Sequence, residues 1–100
     1  MRANRVELAG RLAETHGLRH TPSGLPSLQL RIAHLSRQQE AGRERQVECE
    51  AQALAFGAVA SALAKLAPGT KVQLAGFLDR RNARDAQPVP HVIAFELLEE

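Results

Sequence analysis

Val6, Leu8, Gly10 and Leu12 alternate with Glu7, Ala9, Arg11 and Ala13. A period of two marks a strand with one buried face. Thr15 to Pro26 contains Gly17, Pro22, Ser23, Gly24 and Pro26 and reads as a turn-rich loop. Leu28, Leu30 and Ile32 alternate with Gln29, Arg31 and Ala33, which predicts a second strand. Polar residues from Ser36 to Glu44 surround Gly42 and predict the tip of a long hairpin. A third strand follows from about Arg45 to Phe56, where Val47, Cys49 and Ala51 alternate with Gln46, Glu48 and Glu50.

The period then changes. Val59, Leu63 and Leu66 recur at spacings of four and three among alanines, the pattern of a short amphipathic helix. Pro68-Gly69 ends it. Val72, Leu74, Gly76 and Leu78 restore the strand period, and Asp79 to Pro90 reads as a charged loop with two prolines. Ile93, Phe95 and Leu97 form a fifth strand. Three strands, a helix and two strands is the layout of the OB fold, a five-stranded Greek-key barrel. The expectation is an all-β chain with one short helix, folded as a single OB domain over residues 1–100.

Composition narrows the chemistry. There are three Phe, no Tyr and no Trp, so aliphatic residues must build the core. Eleven of the thirteen basic residues are Arg, and the net charge is +2. Guanidinium groups present forked donors that suit phosphate and lie flat on bases. The single cysteine, Cys49, excludes an internal disulfide and a cysteine-based metal site, and is expected as a buried, reduced thiol in a cytoplasmic protein. The apolar stretch from Ala53 to Ala64 is interrupted and shorter than the ~20 residues needed to span a bilayer. No signal peptide is evident after the first arginines.

Three clusters of charge stand out. Asp79-Arg80-Arg81-Asn82-Ala83-Arg84-Asp85 places three guanidinium groups in the loop that OB folds use for oligonucleotides. The same run would also serve as a solvated loop partly neutralised by its aspartates. Arg37, Arg43 and Arg45 surround the hairpin tip together with Glu40 and Glu44, and surface ion pairs would equally account for them. Arg19 lies in the first loop beside His20. Ser23, His20 and Glu14 are the residue types of a catalytic triad, but no spacing brings them together, and no phosphate-cradling glycine loop is present. The histidines lack metal-ligand spacing. The expectation is a binding protein rather than an enzyme, with no cofactor, metal or small-molecule substrate.

Specific motifs carry a family resemblance. Asn4-Arg5 leads into Leu8-x-Gly10; Pro22-Ser23-Gly24-Leu25-Pro26 precedes a strand to His34, then Gln39-Glu40-x-Gly42 and Arg45-Gln46-x-x-Cys49; Gly69-Thr70-Lys71-Val72-x-Leu74-x-Gly76-Phe77-Leu78 opens the fourth strand. From Asn4 to Leu98 the chain resembles the primosomal replication protein family PriB, relatives of the single-stranded DNA-binding proteins. The resemblance implies a homodimer, binding of single-stranded DNA and contact with the restart helicase PriA. It matches family basic positions to Arg19, to Arg84 and, with a one-residue shift, to Arg80 and Arg81. Departures are plain: Glu48 stands where the family's best-known members carry a Trp, Arg43 where a ring is expected, and Leu35 at a basic position, with Arg37 two residues on. A further basic position falls near Val89 to His91. The expected binder grips the backbone through Arg19, Arg37, Arg43, Arg45, Arg80, Arg81 and Arg84, reads bases weakly and depends strongly on salt. A helicase adaptor with incidental DNA contact is the alternative. A general single-stranded DNA-binding protein would continue into a flexible acidic tail, so the end at Leu98-Glu99-Glu100 favours the primosomal type.

Overall fold

The computed structural model describes residues 2–99. Its strands are β1 (Val6–Thr15), β2 (Arg19–His20), β3 (Pro26–Glu40), β4 (Arg43–Phe56), β5 (Lys71–Arg80) and β6 (Pro88–Leu97), with one helix, α1 (Ala58–Ala64), between β4 and β5. All strand pairs are antiparallel except β4 with β6, which run parallel at Leu54–His91 and Ala55–Val92. The strand order is β1-β5-β6-β4-β3-β2, and β1 also pairs with β3, closing the sheet. Closure works because β1 changes partner along its length. Val6 to Arg11 pair with β5, and Arg11 to Thr15 pair with β3 across an irregularity between Leu12 and Glu14. This is the closed five-stranded barrel of the OB fold. The two-residue β2 is an addition inside the expected first loop.

The alternation that predicted the strands also builds the core. Leu28, Leu30 and Ile32 face Ala55, Ala53 and Ala51 across the β3–β4 ladder. With Leu12, Val72, Leu74 and Val92 they form one cluster, and α1 adds Ala60 and Leu63. A fully buried Leu stabilises by about 1.5–3 kcal/mol, so the helix contributes chiefly through Leu63. Small residues allow the walls to approach: a Cβ on Gly76 would overlap the carbonyl of His91. At the start of the chain, the Asn4 side chain donates to the Leu78 carbonyl (2.8 Å) and accepts from the Leu78 amide (2.9 Å), extending the β1–β5 ladder.

Three expectations change. The segment expected as a hairpin tip, Ser36 to Glu44, is mostly strand. β3 and β4 continue in register to Glu40–Arg43, and the turn is only Ala41-Gly42, both at positive φ. Two such residues match the right-handed twist of a hairpin. The second correction is Cys49, which is exposed rather than buried. The β1–β3 pairing stops at Arg11–Ala33. Past that point the hairpin stands as an arm: His34 still reaches back to the Ala9 carbonyl, but the inward position Cys49 lacks a covering wall. The loop after β5 is also shorter than expected, since β5 runs to Arg80 and β6 starts at Pro88.

Candidate nucleic-acid interface

The arm carries three of the seven candidate arginines, on two faces. In the β3–β4 register Arg37 lies opposite Gln46, Arg45 opposite Gln38 and Arg43 opposite Glu40. Side chains alternate across a strand, so Arg37 points to one side and Arg43 and Arg45 to the other. Two of the three are engaged. Arg37 donates to Glu44 Oε1 at 3.0 Å and Arg45 to Glu40 Oε1 at 3.1 Å. These pairs are exposed and worth at most about 1 kcal/mol each, yet they offset the charge of both guanidinium groups. Among the described residues, the Arg43 side chain has no such partner. Leu35, on the face of Arg37, is 65% exposed and sits opposite Glu48.

The loop between β5 and β6 is ordered by its own polar groups. Asn82 Oδ1 accepts from the amides of Arg84 and Asp85, both at 2.9 Å, and Asp85 Oδ1 accepts from the Gln87 amide at 3.0 Å. Arg81 is held on both sides: it lies 3.4 Å from Asp85 Oδ2, and its guanidinium donates to the Gln52 side chain on β4. Arg80 and Arg84 are exposed. Among the described residues their guanidinium groups have no carboxylate or hydrogen-bond partner. Arg19 sits on β2 opposite Ser27, at the end of β3 far from the arm's tip.

The candidates therefore do not form a single cluster. A link between Arg81 of the loop and the sheet comes from residues not singled out in the sequence. Arg31, His16, Gln29, Gln52 and Arg81 line a depression of about 170 Å³ on the outer face of β3 and β4. Arg31 is itself clamped, 3.3 Å from Glu14 and 3.5 Å from Glu50. Its position on the polar side of the second strand was the available signal. Also missed was a row of rings. His91 lies between Phe77 (5.4 Å between centroids, 14° between planes) and Phe56 (6.1 Å, 31°). His34 has a structural role, with Nδ1 donating to the Ala9 carbonyl at 2.6 Å and Nε2 bonded to Ser36 Oγ at 2.8 Å. No helix among the described residues is long and apolar enough to cross a membrane. No group of three or more His, Cys, Asp or Glu among them is placed to hold a metal ion.

A closed barrel with an extended hairpin and a basic loop at one rim has the architecture of an oligonucleotide-binding OB protein. A family model described as another single-strand binding protein family matches residues 4–94. Replication restart protein PriB of Bordetella pertussis is 45% identical over 75 residues, 75% of this chain and 70% of that protein. The solved structure of PriB from Ralstonia solanacearum superposes with a TM-score of 0.87 at 34% identity, covering 98% of this chain and 100% of that one. The single-stranded DNA-binding protein from Thermus aquaticus follows at 0.76 and 26% identity, covering 97% of this chain and 50% of that chain. The chain belongs to the single-strand binding protein family, in the branch of the replication restart proteins PriB.

Proposed function

We propose that this chain is a non-catalytic accessory protein of replication restart, which binds the backbone of single-stranded DNA through arginines and stimulates the PriA helicase as a homodimer in the cytoplasm. The observation that carries the DNA reading is the pair of exposed, uncommitted guanidinium groups, Arg80 at the end of β5 and Arg84 in the loop after it, which OB folds direct at oligonucleotides. Membership of the single-strand binding family supports the same reading. Arg43 and Arg19 are further contacts. Arg81 braces the loop against Gln52, and Arg37 and Arg45 contribute less because Glu44 and Glu40 already engage them. Phosphate contacts release counterions, so the affinity should fall steeply as salt rises.

The test is a titration of fluorescein-labelled oligo-dT at several salt concentrations. Binding that weakens progressively with salt is expected; affinity indifferent to salt would refute the backbone mechanism. A second reading, a helicase adaptor with incidental DNA contact, is favoured by the acids Glu44, Glu48 and Glu50 along the arm and by the two engaged arginines. Replacing Arg80, Arg81 and Arg84 together by Ala separates the readings. Loss of DNA binding with helicase stimulation retained would put the adaptor role first.

A further inference from the structure

The rings Phe56, His91 and Phe77 come from three adjacent strands. His91 on β6 is in register with Leu54 on β4 and with Phe77 on β5, and Phe56 follows two residues after Leu54 on the same face. They line an open groove of about 440 Å³ with Val59 and Ile93. Ile93 is 60% exposed and Phe56 38%. This is an unusual place for scarce aromatic residues. Two of the three phenylalanines in the chain border a solvent-facing groove, while Phe95 packs against the core.

The groove adjoins the basic loop. His91 Nε2 is 3.0 Å from the Arg80 carbonyl oxygen. A carbonyl only accepts, so Nε2 carries the proton and the ring is fixed in plane and tautomer. The loop also reaches the same outer face farther along β4, where Arg81 donates to Gln52. Flat rings next to a loop that carries uncommitted guanidinium groups suit a ligand that alternates planar apolar groups with anions.

We infer that Phe56, His91 and Phe77 form a stacking platform for bases of a single strand whose phosphates Arg80 and Arg84 hold. The inference rests on the DNA reading above and adds a base-contacting subsite to it. Base contact in this chain has a place on the β4–β6–β5 face, away from the arm, whose Arg43 and Glu48 lack rings. Every base has a π-face, so the platform is indifferent to sequence.

The experiment compares a labelled dT oligomer with the same oligomer carrying abasic sites. The protein is expected to bind the dT oligomer roughly tenfold more tightly, the scale of one stacked base. Combining Phe56→Leu with Phe77→Leu, which leaves the His91–Arg80 hydrogen bond in place, should bring that ratio close to one, with abasic affinity and the melting curve unchanged. A ratio that survives the substitutions, or an equal loss for both oligomers, would overturn the platform. Equal, salt-dependent binding of both oligomers by the unsubstituted protein would remove the platform alone. No binding of either would remove the DNA reading as well. Should the variant melt early, photocrosslinking of the unsubstituted protein to 5-iodo-deoxyuridine oligomers decides. Adducts on peptides holding Phe56, Phe77 or His91 are expected, and adducts confined to residues 35–48 would overturn the inference.

Discussion

The arm holds three candidate arginines, the end of β5 with the loop after it holds three more, and the structure treats the two sets differently. On the arm, Arg37 and Arg45 each face a glutamate at about hydrogen-bond distance, 3.0 and 3.1 Å, leaving only Arg43 uncommitted. In the loop, one aspartate, Asp85, engages Arg81, and backbone amides occupy much of the remaining polar capacity. Arg80 and Arg84 stay available. Counting arginines therefore overstates the arm and understates the loop. An exposed ion pair adds little stability, but a phosphate must displace the carboxylate before it gains the same contact.

This contrast can be broken by substitution. The largest effect is expected for Arg80→Ala combined with Arg84→Ala. On single strands each phosphate contact contributes about 0.7 to the salt slope, so losing two should lower affinity roughly fiftyfold near 50 mM salt and flatten the slope by about 1.4. Anisotropy titrations at four salt concentrations would measure both, and a slope unchanged by the double substitution would show that the loop is not the main contact. Next comes Glu40→Gln with Glu44→Gln. Releasing Arg45 and Arg37 and removing two negative charges should raise affinity several-fold at low salt, an effect that fades as salt screens it. Unaltered affinity would mean that DNA does not reach the arm. The smallest effect is expected for Arg37→Ala alone: less than threefold in affinity, with a melting temperature within a degree or two, because its exposed pair is worth little. A larger loss would place Arg37 in direct contact with phosphate despite Glu44.

Much of the fold was legible because each strand keeps a strict period of two over its core residues. Leu28, Leu30 and Ile32 are spaced as they are buried, and the switch to Val59, Leu63 and Leu66 located the helix. The arm was not legible for the same reason. Alternation reports burial, and from Ser36 onward neither face is buried, so paired strands looked like a loop. Cys49 was misjudged by extending the inward pattern past Ala51, where the wall has already ended at Ala33. The arginines could be named from composition and resemblance. Their partners could not, because Arg81 finds Gln52 and Arg31 finds Glu14 and Glu50 only through sheet register. The ring row was hidden in three separate strands. Phe56 and Phe77 each looked like an ordinary strand residue, and His91 fell between the expected loop, which ended at Pro90, and the strand expected from Ile93.

Asn4 ties the leading segment to the backbone of Leu78, two residues before Arg80. Its amide group acts as a splint on the outgoing end of β5. The strand end that carries Arg80, paired on its other edge with Pro88 to Pro90, is thus also pinned from the opposite end of the polypeptide. A change at position 4 would be felt as a loss of alignment at the basic rim, with no cationic group having been touched.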